Sequence, residues 1–447
     1  MSENQRYAVM GLAILLGFLT YGLPLPLPHA AQTVLAIIVL SFVLWISEAI
    51  PLHVTALLAA FLLITVGGFA ADKVFAQFFD RVVVLVLGGF VLAVALSKHK
   101  LDEYLANKLL GRFGSSSSMV LLGMLAVTAG LSMWMANSAA AAICMPIALV
   151  VLAKNKCKPG HSQFGKSMVI AVAYGATIGG IGTLVGSTPN VLAQKFLAEN
   201  HLSFGFVEWL IRGFPFMIAL LIAAWLVLKT VFKSEIKTVE LDPHPHPFTS
   251  NQKKVAVIFL LTVLLWVTES IHGVHNSVVA LIPIVLFSVF NLLEPRDFQK
   301  IDWGSLMLIG GGIALGLGIS DSGLATAFSS ALGTALAHQP YIVVLLGVAV
   351  IGILLTSFIS NTAASAVLIP IITALSVVLG VNMTNLVVVS AIGVSMDFVF
   401  PMGTPPSALA YSTGYIHVKD LIKSGVLLSI AGAILLALFA FAGWPVV

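Results

Sequence analysis

The longest charge-free stretches of this sequence limit its fold more than any other feature. Residues 322–396 run for 75 positions without Asp, Glu, Lys or Arg, and residues 7–47 and 113–153 each run for 41. A membrane-spanning helix needs about 20 apolar residues, so the longest stretch can cross or re-enter a bilayer several times. Charged residues make up 9% of the 447 positions, too few to cover the surface of a soluble protein. The sequence therefore predicts an all-α polytopic membrane protein.

The positive charges indicate how the chain is oriented. If the N-terminus is cytoplasmic and each full-length apolar span crosses once, 18 of the 22 Lys and Arg residues fall on the cytoplasmic side. This agrees with the excess of Lys and Arg in cytoplasmic loops. The pattern predicts about eleven transmembrane helices plus two same-side helical hairpins in a cell (inner) membrane, with the C-terminus outside. We interpret residues 1–30 as a retained first transmembrane helix rather than a cleaved signal peptide.

The two halves of the chain share four motifs in the same order. The matched segments are residues 45–50 with 266–271, 88–89 with 311–312, 136–140 with 360–364, and 186–190 with 403–407. Arg112 and Lys154 place the first Asn-containing segment at the cytoplasmic side, whereas its mate has no positive flank. The repeats are therefore expected to be inverted, which is typical of secondary transporters with a site at the midplane.

The repeats divide the chain into four parts. The predicted parts are an N-terminal helix (1–30), a first inverted repeat (31–232) with a hairpin at 117–153 and a broken helix at 167–199, a cytoplasmic linker (233–252), and a second inverted repeat (253–447) with a hairpin at 341–380 and a broken helix at 386–415. The linker contains His244 and His246, which we interpret as part of a solvated loop rather than a metal site.

Polar residues interrupt each repeat twice in the middle of an apolar run. Asn137 and Asn361 are expected to cap the helices that follow them, because Asn is a favoured N-cap. Thr188-Pro189 and Thr404-Pro405 are expected to stop one half-helix and start the next. Four half-helices would then begin near the bilayer centre, where irregular backbone must be buried or line a wet cavity. Two full spans joined by an external loop at Asn137 remain an alternative to a re-entrant hairpin.

Helix N-termini bind anions through free N–H groups and the positive end of the dipole. None of the four breaks contains Lys or Arg, so the predicted anion site relies on helix ends. The last carbonyls of the incoming half-helices suit a small cation such as Na⁺. Ser132 with Ala136, and Thr356 with Ser360, are spaced i,i+4 and are expected to share one helix face.

At these residues the chain resembles a known family. The paired motifs Ala136-Asn137-Ser138 and Ser360-Asn361-Thr362, each followed by a Thr-Pro segment, are similar to those of the divalent anion–sodium symporters, which carry dicarboxylates, citrate or sulfate. The resemblance covers nearly the whole chain. It implies a homodimer with a scaffold domain and a transport domain that moves like an elevator. Ala136 departs from the family pattern because it lacks a hydroxyl, and Thr188 replaces a usual proline.

The breaks and the resemblance together imply two sets of site residues. The substrate set is Asn137, Ser138, Thr188, Pro189, Ser360, Asn361, Thr362, Thr404 and Pro405. The Na⁺ set is Ser132, Asn137 and Gly186 for a first site, and Thr356, Ser360, Asn361 and Gly403 for a second.

Asp397 is the one acid deep within a predicted span, at a position where the family pattern has a small residue. An intramembrane acid is a functional candidate. Asp397 is a candidate coupling acid that carries a proton or strengthens cation binding; the alternative is a structural, hydrogen-bonded carboxyl.

These observations predict a secondary active transporter that moves a small dianion, a C4 dicarboxylate above all, together with Na⁺. The alternative is a proton-coupled or exchange carrier of a dicarboxylate, 2-oxoglutarate, citrate or sulfate. We expect no enzymatic activity, no catalytic residue, no organic cofactor and no nucleic-acid partner. An intramembrane protease would need paired acids or a Ser/His dyad at depth. A channel would need a continuous lining, which two inverted hairpins oppose.

Overall fold

The computed structural model describes residues 2–241 and 247–444, and these residues form helices joined by turns and loops. Within this described part the only β pairing is one isolated bridge between Ser116 and Thr238. The predicted all-α fold is confirmed. His244, His246 and the last three residues lie outside the described residues.

The first half of the chain contains eleven α-helices in its described residues. They are α1 (Glu3–Gly22), α2 (His29–Ser47), α3 (Leu52–Thr65), α4 (Ala71–Ala76), α5 (Arg81–Lys98), α6 (Leu101–Leu110), α7 (Ser117–Ser132), α8 (Asn137–Lys154), α9 (Gln163–Gly179), α10 (Thr188–Glu199) and α11 (Phe206–Val231).

The second half also contains eleven α-helices in its described residues. They are α12 (Ser250–Val267), α13 (Glu269–His272), α14 (Asn276–Val279), α15 (Leu281–Val289), α16 (Trp303–Asp321), α17 (Leu324–Leu336), α18 (Tyr341–Thr356), α19 (Asn361–Leu379), α20 (Met383–Val394), α21 (Pro405–Ser412) and α22 (Val418–Phe441).

Eight helical stretches of the described part are long and apolar enough to cross a membrane. They are α2, α4 continued into α5, α8, α11, α12, α16, α19 and α22. Shorter apolar helices include α7, α18 and α20, which adjoin the predicted breaks. The span predicted within residues 1–30 is helical in α1, but α1 is not among the eight. Because α8 and α19 each begin at one of the motif asparagines, their lengths are set by the breaks.

The chain divides into two compact units. One unit comprises residues 1–84, 191–203 and 302–394. In it α16 packs closely on α3 and α19, since methyl groups added at Gly311 and Gly312 would collide with Ala56 and Ala366. Small residues at such contacts let helix backbones approach in a membrane protein. Helices α18 and α20 pack in the same way through Gly352.

The other unit comprises residues 85–190, 204–301 and 395–447. Helix α9 lies at its centre, because every residue from Phe164 to Gly179 is buried. It packs against α7, α8, α11 and α21. Gly175 and Gly179 press against the α7 backbone at Leu125 and Ala129. This packing brings the C-terminal end of α9 to the end of α7, where the first break begins.

Candidate functional site

The two Asn-containing breaks have the same construction in the two units. Helix α7 ends at Ser132 and α8 begins at Asn137; α18 ends at Thr356 and α19 begins at Asn361. Each gap is therefore four residues long, and the two gaps are 224 positions apart. Both breaks predicted from the repeat are confirmed as interruptions of helix.

In the first break, three oxygen atoms lie close together around one hydroxyl donor. Ser132 Oγ lies 2.8 Å from Asn137 Oδ1 and 2.6 Å from the carbonyl oxygen of Ala176 on α9. A hydroxyl donates only one hydrogen bond at a time, so one of the two acceptors always lacks this donor. Ser132 is fully buried and Asn137 is partly exposed. A cluster of oxygen acceptors at a partly exposed position suits a small hard cation.

The second break repeats this hydroxyl–amide pair. Thr356 Oγ1 donates to Asn361 Oδ1 at 2.5 Å, and Thr356 is fully buried. Ser360 is the N-cap of α19, and its hydroxyl accepts a hydrogen bond from the backbone N–H of Ala363 at 3.3 Å. In the first break, Ala136 holds the N-cap position of α8 without a side-chain hydrogen bond. The departure at Ala136 therefore removes a helix cap.

Two sequence predictions about these breaks are wrong. Asn137 and Asn361 are the first residues of their helices rather than the caps, because Ala136 and Ser360 hold the extended cap conformation. Ser132 and Ala136 do not share a helix face, since α7 ends at Ser132; Thr356 and Ser360 are separated in the same way. The hydroxyls contact the asparagine amides instead.

The break between α9 and α10 spans residues 180–187 and lies against the first Asn. A methyl group added at Gly180 would meet Asn137 Oδ1 at 2.6 Å, and one added at Gly186 would meet the Gly180 carbonyl at 2.7 Å. Asn190 Nδ2 donates to the Gly180 and Thr183 carbonyls, each at 2.8 Å. The structure thus brings Ser132, Asn137 and Gly186 of the predicted first Na⁺ set to one place.

The break between α20 and α21 spans residues 395–404. Thr404 is the extended N-cap of α21, and Pro405 is its first residue, as predicted. Thr404 Oγ1 lies 3.0 Å from Ser407 Oγ, and Thr404 is buried while Pro405 is exposed. The matching helix α10 begins at Thr188, one residue before its proline.

Helices α9 and α22 contact the break at residues 395–404 and support its shape. The Tyr174 hydroxyl lies 2.8 Å from Ser424 Oγ and 3.2 Å from the Phe398 carbonyl oxygen. Gly425 lets α22 pack directly on that carbonyl, because an added methyl group would overlap it. Near the start of α22, Lys166 Nζ contacts both carboxylate oxygens of Asp420, at 3.2 and 3.1 Å, in a buried ion pair.

Asp397 lies inside the same break and is 1% exposed. Neither of its carboxylate oxygens has a hydrogen-bond donor among the described residues. Its carboxylate occupies the space beside the Gly403 Cα, where any side chain would overlap it. The two roles expected for Asp397, a coupling acid and a structural, hydrogen-bonded carboxyl, both stay predictions.

The predicted substrate residues differ in exposure. Ser138 and Pro405 are exposed, while Asn137, Thr188, Ser360 and Asn361 are partly exposed. Pro189, Thr362 and Thr404 are buried. The exposed and partly exposed members cluster at the first residues of α8, α10, α19 and α21, where free N–H groups are found. These positions fit anion binding by helix ends.

The oxygen atoms of the two predicted Na⁺ sets can be compared with the ligands that a hard cation takes. Ser132 and Asn137 of the first set place hydroxyl and amide oxygens beside the Ala176 carbonyl, which also accepts the Gly180 N–H. Within the other unit, Thr356 and Asn361 offer a hydroxyl–amide pair beside Ser360. Hard cations take such oxygen ligands. Both clusters fit Na⁺; the membership of Gly403 in the second stays a prediction, because Gly403 belongs to a different unit from Thr356.

Sequence reasoning missed the residues that support the sites from neighbouring helices. Ala176 contributes a backbone carbonyl, Asn190 fixes the turn at Gly180, and Tyr174 fixes the turn at Phe398. Ala176 gives no side-chain signal. Asn190 and Tyr174 are polar residues in apolar surroundings, and that signal was available in the sequence.

Comparison with protein families gives one match over the whole chain. The family described as the sodium:sulfate symporter transmembrane region matches residues 2–447. An uncharacterised transporter of Methanocaldococcus jannaschii is 35% identical, over 96% of this chain and 98% of that protein. The sodium-dependent dicarboxylate transporter SdcS of Staphylococcus saprophyticus is 32% identical, over 98% of this chain and 92% of that protein. SdcS of Staphylococcus aureus is 31% identical over 98% and 91%.

Comparison with solved structures gives a match in fold. The YdaH transporter of Alcanivorax borkumensis, described as having an unusual topology, aligns with a TM-score of 0.61 and 15% identity. The alignment covers 83% of this chain and 88% of that one. At this identity the likeness concerns the fold alone.

Proposed function

The chain belongs to the sodium:sulfate symporter family, a family of membrane transporters, and from that premise we propose that it is a Na⁺-coupled carrier of a small dicarboxylate. The observation that carries the proposal is the equivalent hydroxyl–asparagine pair at each break, Ser132 with Asn137 and Thr356 with Asn361. A proposal of Na⁺-coupled dicarboxylate transport also agrees with the names of the SdcS relatives.

We propose that the substrate is a C4 dicarboxylate held by helix N-termini and short polar side chains. The proposed ligands are Asn137, Ser138, Thr188, Pro189, Ser360, Asn361, Thr362, Thr404 and Pro405. Two carboxylates of one small molecule match a chain that has helix-start motifs in duplicate. None of the four breaks contains Lys or Arg, so an anion gains its stabilisation from backbone N–H groups and dipoles.

We propose that Na⁺ binds among the oxygen atoms of Ser132, Asn137 and Gly186, and of Thr356, Ser360, Asn361 and Gly403. Each asparagine would contribute its Oδ1 to the ion and its Nδ2 to the neighbouring anion. A cation beside a dianion lowers the cost of holding both away from water. This shared use of one amide makes Na⁺ binding favour substrate binding, and the reverse follows by linkage.

The remaining expectations are part of the same proposal. We propose two inverted repeats with the N-terminus cytoplasmic and the C-terminus outside, because 18 of 22 positive residues fall on one side in that orientation. The two helix-break-helix hairpins, α7–α8 and α18–α19, would re-enter from opposite sides. A homodimer working by an elevator movement is proposed on the family resemblance. The domain boundaries at 30, 232 and 252 follow from the repeats.

A second candidate function is Na⁺-independent exchange or proton-coupled transport of the same class of anion. The specific observation that favours it is Ala136, which leaves α8 without the side-chain cap that Ser360 gives α19. One weakened cation site would reduce dependence on Na⁺. This candidate predicts uptake that responds to internal dicarboxylate or to pH instead of Na⁺.

The test is uptake of labelled succinate by purified protein in proteoliposomes. Initial rates are compared in NaCl, LiCl, KCl and choline chloride, with and without dicarboxylate inside. Unlabelled 2-oxoglutarate, citrate and sulfate serve as competitors. The proposal expects rates that depend on Na⁺ and are inhibited most by C4 dicarboxylates. Equal rates in Na⁺ and choline, with stimulation by internal dicarboxylate, would support the second candidate and overturn the first.

A further inference from the structure

Asp397 is a buried carboxyl without a hydrogen bond of normal geometry among the described residues. It is 1% exposed, and both of its oxygens lack a hydrogen-bond donor among the described residues. The Val399 backbone amide lies near the carboxylate, but no hydrogen bond of normal geometry reaches either oxygen. The carboxylate fills the space beside Gly403, which is partly exposed. The break therefore places a buried carboxyl directly next to the partly exposed Gly403.

The neighbouring groups are already committed elsewhere. The Tyr174 hydroxyl contacts Ser424 and the Phe398 carbonyl. Lys166, the buried cation of the same unit near α22, is paired with Asp420. No Lys, Arg or His among the described residues forms an ion pair with Asp397. A buried, unpaired charge costs several kcal/mol, so this carboxyl either binds a proton or takes a counter-charge that the described part of the chain does not supply.

We infer that the Asp397 carboxylate is a ligand of the transported Na⁺ at the Gly403 break. The inference rests on the proposed function and adds a charged ligand to a site otherwise composed of neutral oxygens. Because the absence of a Cβ at Gly403 is what admits the carboxylate, an ion bound there would reach both the carboxylate and the backbone of the turn. Charge on the ligands raises the affinity of oxygen sites for cations.

The position of Asp397 also links the ion to the substrate. Gly403 is two residues before Pro405, the first residue of α21 and a proposed substrate ligand. Without a cation, an ionised Asp397 repels an approaching dianion; with Na⁺ bound, the repulsion is cancelled. Removing the charge should weaken Na⁺ binding and, at the same time, let the dianion bind without Na⁺.

The test measures binding on purified full-length protein in detergent. The thermal unfolding midpoint is followed as NaCl replaces choline chloride, and succinate affinity is measured calorimetrically in each salt. Asp397→Asn is compared with wild type and with Asp102→Asn. Asp102 is the matched control, because it is also 1% exposed, has one carboxylate oxygen without a partner, and lies outside the breaks, in α6. Asp397→Ala removes the charge a second way if the asparagine variant fails to fold.

The inference expects the wild type and Asp102→Asn to gain stability with Na⁺. Asp397→Asn should need about tenfold or more Na⁺ for the same gain, and should bind succinate in choline more tightly than wild type does. Wild-type Na⁺ response in both Asp397 variants would overturn the inference and leave the proposed function standing. A wild type that responds to succinate but never to Na⁺ would overturn both.

Discussion

Asn137 and Asn361 are the residues on which the proposed chemistry depends most. Each is the first residue of a half-helix, and each amide oxygen contacts a hydroxyl at the end of the preceding helix. An amide offers an acceptor to a cation and a donor to an anion. A substitution that removes the amide should therefore remove both functions together.

We predict that Asn361→Ala lowers succinate uptake by roughly ten- to a hundredfold, because hydrogen bonds to charged groups are the strong ones. The substitution should leave the protein monodisperse, since Asn361 is partly exposed. Thr373→Ala is the control: its hydroxyl bonds only to the Ile369 carbonyl within α19, and uptake should persist. A folded Asn361→Ala protein with wild-type rates would refute the site assignment.

Asp297 gives a prediction about pH. Burial opposes its ionisation, but hydrogen bonds from Lys98, the Glu294 backbone and Lys300 more than offset burial, so the pKa of this carboxyl lies below its usual range. A lowered folded pKa means that the stabilisation is present above the unfolded pKa of about 3.9 and is lost as pH falls through the folded value.

We therefore predict that Asp297→Asn lowers the free energy of unfolding by about 2 kcal/mol at neutral pH. The difference from wild type should shrink as pH falls below about 4, because the carboxyl of the unfolded wild type is then protonated while the folded carboxyl stays ionised until lower pH. Thermal melts of both proteins across this pH range are the measurement. A difference that stays constant down to the lowest pH would show that the ion pairs with Lys98 and Lys300 are not its source.

At the level of elements, the breaks are held in shape by close packing. Helix α22 can pack on the break at 395–404 because Gly425 has no side chain to strike the Phe398 carbonyl. We predict that Gly425→Ala displaces the break, lowers the melting temperature and reduces uptake. Gly11→Ala in α1 is the control, since nothing lies within 4 Å of its added methyl group. It should be neutral or slightly stabilising, because Ala favours helix over Gly.

A Gly425→Ala protein as stable and active as the Gly11→Ala control would contradict this account of the packing. The contrast isolates close packing, because both substitutions add the same methyl group to a helix. Only the surroundings of the two glycines differ, so a general effect of helix propensity would appear in both variants alike.

The elements themselves were largely predictable from the sequence, whereas their local contacts were not. The starts of α8, α19 and α21 follow from Asn137, Asn361 and Pro405, since these residue types favour helix N-termini. The contacts of Ser132 with Asn137 and Ala176 were not predictable, because they depend on how α9 packs against α7. The i,i+4 argument failed because a helix periodicity was applied across a point where the helix ends.

At the scale of the whole molecule, the repeat predicted the order of the helices but not their grouping. Each compact unit combines segments from both halves of the sequence, and such grouping depends on long-range packing that a repeat offset does not encode. Asp397 illustrates the limit: the sequence marks it as a deep acid, but only the structure shows its contact with Gly403 and, among the described residues, two carboxylate oxygens without a hydrogen bond of normal geometry.

The most direct test of the account as a whole is concentrative uptake driven by Na⁺ alone. Proteoliposomes that contain no Na⁺ and no dicarboxylate are diluted into NaCl with labelled succinate. The account predicts accumulation above the external concentration, which collapses when a Na⁺ ionophore dissipates the gradient. Accumulation that is unchanged by the ionophore, or uptake that only reaches the external concentration, would contradict it.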